Sequence, residues 1–531
     1  MRYCTYYACL VLTIACLVAA LWVSAWWGIG VALFAAFAAL GSWDLVQPHH
    51  NLMRNYPLVS HVRWVLEAVR PQLRQYFFEG DEDGTPFPRD QRALVYQRSK
   101  NVNDARPFGT ELDVYANGFE WINHSIAPHP EQQDGFRIDI GGQTCTRPYA
   151  ASVFNISAMS FGALSANAIR ALNRGARLGH FAHDTGEGGL SIYHRENGGD
   201  LIWELGSGYF GCRTKDGHFD ADRFRDTAQI DQVKMVEIKL SQGAKPGHGG
   251  VLPAAKVSRE ISAARGVPMG QDCVSPSAHS AFSTPTGLLQ FVQRLRELSG
   301  GKPTGFKLCI GHPLEFMAIA KAMLETQILP DFIVVDGSEG GTGAAPYELV
   351  DHVGTPLREG LIFVCNVLTG VGLREQIRVG ASGKIISGFG LASNFALGAD
   401  WCNAARGFMF ALGCVQSLKC HTNRCPTGIA TQDPRRQKAI VVPDKAQRVA
   451  NYHQRTIAAL AGIVAAAGLD HPAELTPAHL CRRTGANTIQ TAESYYEFLR
   501  PRQLIDGGET PLQRYWTLAD PARFCTVSTL P

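Results

Sequence analysis

From Tyr3 to Trp43 the chain carries no charged residue. That stretch is about twice the roughly 20 residues one helical membrane span requires. Charge of one sign is scarce elsewhere too. Lys and Arg number 50 against 47 Asp and Glu, and the net charge of +3 argues against a nucleic-acid partner, as does the lack of a basic, aromatic-rich stripe. The 14 cysteines sit mostly singly, without the dense framework of a small secreted domain, which points to a reducing compartment. No Gly-x-Gly-x-x-Gly fingerprint is expected after a strand, so NAD(P)H binding is not expected of this chain.

Within the uncharged stretch, Trp26-Trp27-Gly28-Ile29-Gly30 suits an interfacial turn. The expectation is a transmembrane hairpin in residues 1–45, with spans near 4–24 and 28–44. A signal peptide would have a far shorter apolar core and a small-residue cleavage site. One long tilted span with a re-entrant end is the other alternative. Arg2 precedes the first span, and Arg54, Arg63 and Arg70 follow the second. Positive charge on both sides predicts both ends in the cytoplasm, the hairpin in the cell (inner) membrane and the rest of the chain cytoplasmic.

The 531 residues, 45% hydrophobic, allow two or more domains or one large barrel with extensions. Residues 46–150 read as a proline-punctuated lead-in, with helical apolar spacing over 59–75 and a loop at 79–86. Strands are expected at 152–157, 179–183, 234–240, 272–275, 305–310 and 332–335. Helices are expected at 285–298, 313–326 and 357–372. Two more strand ends lie at Ser382–Gly388 and Asn403–Gly407. This alternation predicts an α/β fold, a (β/α)8 TIM barrel over 151–430, with its motifs at the carboxyl ends of the strands. Residues 431–531 are expected to form a short helical extension packed on the barrel.

Several of those strand ends are rich in glycine, and some embed a charge: Glu187 in Thr-Gly-Glu-Gly-Gly, Lys245 in Gln-Gly-Ala-Lys-Pro-Gly. A solvated loop charge is the default for each alone, but at barrel strand ends a functional role is favoured. The small residues after the last two strands suit a phosphate cradle of backbone N–H groups. Cys414, Cys420 and Cys425 follow in a C-x5-C-x4-C pattern. Thiolates suit an iron–sulfur cluster, and three ligands suit a three-iron one. Buried structural thiols remain an alternative, as does zinc with His421 as fourth ligand.

A phosphate cradle leading into Cys-x5-Cys-His-x-Asn-x-Cys-Pro-x-Gly-Ile-Ala, ending at Ala430, resembles the FMN-binding synthase domain of glutamate synthases. The resemblance covers roughly residues 100–435. It implies FMN and a [3Fe-4S] cluster on Cys414, Cys420 and Cys425. It implies a flavin-facing set of Met159, Ser160, Lys239, Lys307, Asp336, Gly340, Gly341, Thr342, Gly383, Gly388, Ala405 and Arg406. An anion for the buried Lys307 is expected from the flavin ring or phosphate. The resemblance also implies Glu187, Gln242, Lys245 and Arg265 at the substrate site. Arg265 is expected to clamp a substrate carboxylate in bidentate fashion, and Glu187 to move protons with a raised pKa. The resemblance also marks His279 and Cys273, with a structural histidine as the alternative for the former.

Two departures matter. His248 stands where the family usually has glutamate, and Val251 stands where a glutamine helps hold 2-oxoglutarate. No glutaminase domain is read ahead of the barrel. Ammonia is therefore expected from solution or a separate partner, and electrons from a separate donor protein or small subunit through the cluster. The implied activity is reductive amination of 2-oxoglutarate, or a related oxo-acid, with ammonia. Alternatives are a flavin oxidoreductase for another amine or oxo-acid, and a non-catalytic membrane redox relay.

Overall fold

Eight short parallel strands close on themselves in the computed structural model, which describes residues 2–524. Numbered along the chain, these barrel strands are β1 (Phe154–Ile156), β2 (His183–Asp184), β3 (Leu201–Leu205), β4 (Val233–Lys239), β5 (Thr304–Leu308), β6 (Phe332–Asp336), β7 (Arg378–Ser382) and β8 (Trp401–Ala404). Strand β8 pairs with β1 through Asn403↔Asn155 and closes the ring. The α/β barrel expected from the alternation is therefore present. Its make-up differs in two places. Leu201–Leu205 is a barrel strand that sequence reasoning missed, because Glu204 interrupts a short apolar run. Cys273–Val274 lies outside the barrel and pairs antiparallel with Val251–Leu252.

The amino-terminal end of the barrel is plugged. An antiparallel hairpin, Arg137–Ile140 with Tyr149–Ser152, inserts Ile140, Tyr149 and Ala151 among Ile202, Met235, Phe332 and Trp401. Burying such side chains is worth about 1.5–3 kcal/mol each, so that end is a packed core. The carboxyl ends are left for chemistry.

Around the barrel, helix Ala166–Gly179 begins on the cap Ser165, whose Oγ accepts from Ala168 N. It packs against the long helix Val442–Ala466. Gly175 permits that contact, since a Cβ there would lie 2.4 Å from Val449 Cγ1. The carboxyl-terminal extension is not wholly helical. Leu480–Gly485 and Thr488–Thr491 form a three-stranded antiparallel sheet with Glu120–Ile122 of the lead-in.

The chain divides into two compact units, Met1–Asp90 and Gln91–Pro531, the barrel lying in the second. In the first, two apolar helices, α1 (Cys4–Trp22) and α2 (Trp27–Val46), pack together. Both are long and apolar enough to cross a membrane by length and composition. Small residues set their approach: a Cβ at Gly30 would lie 2.9 Å from Cys16 Sγ, and one at Gly41 2.6 Å from Tyr6. A short helix, α3 (Asn51–Asn55), leads to α4 (Val59–Leu73), which runs into a turn of π-helix at Arg74–Phe78.

Candidate active site at the carboxyl end of the barrel

Loops after β1, β2 and β4 meet at one mouth. Met159 N donates to Asp184 O at 3.0 Å, which ties the first loop to the second. Gly186 has φ +65°, and a Cβ there would stand 2.9 Å from Ser160 N. Glycine is required at this position both for conformation and for space. The turn projects Glu187 toward Lys239, the last residue of β4, with Oε1 3.0 Å from Nζ. Lys239 Nζ also donates to Gln242 Oε1. Gly250 makes room for the carboxylate, for a Cβ there would collide with Glu187 Oε1 at 1.9 Å.

The electrostatics follow from that grouping. Burial acts to raise the Glu187 carboxyl, but Lys239, Arg265 and Lys245 together hold it below the usual carboxylate range. The expectation of a raised pKa is thus reversed, and Glu187 is an anion at neutral pH. Burial brings Lys245 down to about 8, against the opposing pull of Glu187. Lys245, not Glu187, is the group at this mouth that changes protonation near neutrality.

Arg265 ends the helix Arg259–Arg265 and is buried beneath the Glu187 loop. Its Nη2 donates to Phe161 O at 3.2 Å and its guanidinium lies 5.1 Å from the Phe210 ring centre. A Cβ at Gly188 would stand 2.7 Å from Nη2. The fork is therefore turned into the protein, and the expected bidentate clamp on a substrate is not what the structure presents. Arg265 instead positions the loop and adds positive potential behind Glu187.

Lys307 also differs from expectation. Its ammonium lies inside the barrel with Glu237 Oε1 at 3.1 Å, Asp184 Oδ2 at 3.8 Å and Glu204 in direct contact. The anion it needs comes from three protein carboxylates, not from a cofactor. Burial would lower the lysine, but those carboxylates hold it well above its ordinary value. Burial pushes Glu237 up to about 7 and Asp184 well above its usual range. Sequence reasoning missed Asp184, Glu204 and Glu237. The available signal was a carboxylate set inside an apolar strand, as in Leu-Ile-Trp-Glu-Leu and Val-Glu-Ile-Lys. Asp336, at the end of β6, accepts from Gly243 N at 2.9 Å and so links the β4 and β6 loops.

Beyond β6, the glycine run meets the phosphate-cradle segment. Arg406 Nη2 donates to Thr342 O at 2.7 Å, and a Cβ at Gly341 would lie 2.9 Å from Arg406 Nε. Gly340 packs over Gly337 O. Gly383 and Ala405 directly follow the paired ends of β7 and β8, where Ser382 is opposite Asn403. Gly388 is set by packing instead: a Cβ there would be 2.8 Å from the backbone of Ala459 and Leu460. The backbone at Gly341, closed to any Cβ, and the Arg406 guanidinium beside it make a cationic, N–H-rich cradle that fits a phosphate-bearing flavin.

Arg406 also reaches the cysteine loop, with Nη1 4.0 Å from Cys420 Sγ. Lys256, another residue sequence reasoning missed, is buried beside Cys420 and Cys425. Burial lowers it to about 8 while those thiols pull it upward. Burial raises Cys414 to about 11. For Cys425 the effect of burial is outweighed by backbone N–H groups of Ala430, Thr427 and Ile429 and by the Thr427 hydroxyl, and its thiol is lowered. Cations and N–H donors around thiols fit a thiolate-bound centre.

The remaining candidates are structural. His279 is buried, with Nε2 donating to Lys239 O at 2.9 Å and Nδ1 3.1 Å from Tyr209 OH. Burial lowers it to about 4. Gly206-Ser207-Gly208-Tyr209-Phe210-Gly211 does follow β3 with the dinucleotide spacing, contrary to the sequence reading. No helix opens there, however, the next being Ala221–Ala228. Gly206 is required by Glu187, whose Cβ would stand 2.8 Å from an added one. The run lacks the helix N-terminus that holds a pyrophosphate.

The profile of the conserved region in glutamate synthase matches residues 129–470. A glutamate synthase large subunit-like protein, YerD of Bacillus subtilis (strain 168), is 37% identical over 504 residues, covering 86% of this chain and 95% of that protein. The archaeal-type glutamate synthase [NADPH] of Thermotoga neapolitana is 36% identical over 296 residues, which span 56% of this chain and 55% of its own length. Among solved structures, a mutant flavocytochrome b2 with pyruvate bound covers 90% of this chain and 97% of its own at 13% identity. Its TM-score of 0.42 is too low to add to the barrel itself. By the extent of the conserved region and the full-length match to YerD, the chain belongs to the glutamate synthase family.

Proposed function

We propose that the protein is a glutamate synthase-like oxidoreductase, held in the cell (inner) membrane by α1 and α2, that reductively aminates 2-oxoglutarate or a related oxo-acid with ammonia. The observation that carries this reading is the grouping of Glu187, Lys239, Gln242 and Lys245 at one barrel mouth. FMN, when bound, supplies hydride chemistry. Gly341, Thr342, Gly383, Ala405 and Arg406 would hold it, on the support of the cradle described above. Lys245 binds the oxo-acid carboxylate as a cation and holds a proton at Nζ close to its release point. Glu187, ionised, orients Lys239 and keeps Lys245 charged. Val251, half-buried and apolar, favours a related oxo-acid as a second reading.

Cys414, Cys420 and Cys425 would hold an iron–sulfur cluster that takes electrons from a separate donor protein. The Arg406 and Lys256 cations beside these thiols, and the backbone N–H groups on Cys425, support that reading. The test is anaerobic reduction of the purified protein, then mixing with oxo-acids and ammonia while flavin reoxidation is followed. Reoxidation dependent on both partners is expected. Reoxidation by a membrane electron acceptor alone would replace the synthase reading with an electron relay.

A further inference from the structure

Helix α4 and its π-turn have no counterpart in that chemistry. Val59, Val62, Leu66, Val69 and Leu73 recur at spacings of three and four, which at 3.6 residues per turn is one continuous face. That face is open: Val62 is 58% exposed, Leu66 56%, and Phe77 and Phe78 of the π-turn 76% and 78%. Arg63, Arg70 and Arg74 fall on the adjoining strip, with Glu67 the one acidic residue among them. An apolar face this large rarely stays uncovered.

Its position indicates the cover. Asp44, buried in the last turn of α2, accepts from Leu58 N at 2.9 Å and contacts His61 Nε2 at 2.8 Å. Thr5 Oγ1, in the first turn of α1, donates to Pro57 O at 3.2 Å. The start of α4 is thus pinned to the two ends of the apolar pair that lie on one side. If those helices cross a bilayer, α4 begins at its surface. We infer that α4 lies flat on the membrane, with its apolar face in the acyl–headgroup boundary and its arginines on anionic lipid headgroups. This rests on α1 and α2 being membrane spans.

The test places the photocrosslinker p-benzoylphenylalanine at Leu66 or Leu73 of the full chain, with Ala68 on the opposite face and Leu17 in α1 as controls. The protein is reconstituted in phosphatidylcholine vesicles with or without phosphatidylglycerol. Lipid adducts at 66, 73 and 17, few at 68, are expected, with higher yield at 66 and 73 when phosphatidylglycerol is present. Replacing Arg63, Arg70 and Arg74 by Gln should remove that gain. Adducts at 17 but not at 66 or 73 overturn the inference and leave the spans intact, and no adduct at 17 overturns both. A crosslink from 66 or 73 to a second copy, or to the Gln91–Pro531 unit, overturns it in favour of a protein contact.

Discussion

Lys239 Nζ lies 3.0 Å from Glu187 Oε1, with the lysine buried and the carboxylate partly so, at the mouth where burial lowers Lys245 to about 8. Three cations and one anion share the space once Arg265 is counted. A carboxylate ligand is the group that such an excess of positive charge favours. Because Glu187 raises Lys245 while burial lowers it, the two residues are linked in their titration.

That linkage gives a pH prediction. Oxo-acid binding should be constant below pH 8 and fall as Lys245 loses its proton above it. In Glu187→Gln the supporting anion is gone, Lys245 drops further, and the alkaline limb should move to lower pH. Binding titrations monitored by flavin absorbance across pH would read this, and an unmoved limb would remove Lys245 from the role. Lys245→Ala should weaken binding roughly ten- to hundred-fold, the ~1.5–3 kcal/mol of a charge-assisted contact.

The Lys307 cluster predicts a stability effect. Lys307→Met leaves Asp184, Glu204 and Glu237 buried without their cation, which typically costs about 3–5 kcal/mol. The sign with pH follows from Glu237, whose folded pKa of about 7 lies above its unfolded value. Its stability contribution is full below the unfolded pKa and is lost as pH rises through 7. Thermal unfolding should therefore show the variant least impaired in acid and increasingly impaired toward neutrality, with Glu237→Gln flattening the dependence. A pH-independent loss would mean that the carboxylates do not share protons.

Much of this was legible in the sequence because chemistry at strand ends is local. Glu187, Lys245 and the glycines around them announce themselves within a few residues. What was not legible is what the fold brings from afar. Lys256 reaches Cys420 and Cys425 only because the loop after β4 folds over the cysteine loop. The carboxylates around Lys307 come from β2, β3 and β4, each looking like an isolated charge in its own strand. Leu201–Leu205 escaped because Glu204 breaks the apolar run, and Cys273–Val274 passed as a barrel strand because two residues carry no direction of pairing.

The cysteine loop gives a compositional prediction. Cys414→Ser, Cys420→Ser or Cys425→Ser should remove iron and acid-labile sulfide while flavin content stays, since the cradle is built from β6, β7 and β8. Metal analysis and visible absorption of anaerobically purified protein distinguish the cases. Zinc without sulfide in the parent protein would end the cluster assignment.

The last prediction concerns Val251. Its backbone is fixed by pairing with Val274, and the residue before it, Gly250, lies against the Glu187 carboxylate. A side chain at 251 therefore springs from a fixed point next to the mouth, and changing it should alter selectivity without moving Glu187. Val251→Gln supplies a donor and an acceptor where the parent offers only methyl groups. A neutral hydrogen bond is worth about 0.5–1.5 kcal/mol, or roughly two- to ten-fold in affinity. Use of 2-oxoglutarate should improve by that factor relative to shorter oxo-acids, measured as kcat/KM for each under identical ammonia. If the ratio between oxo-acids does not change, Val251 does not face the substrate, and the acceptor's identity is set elsewhere in the mouth.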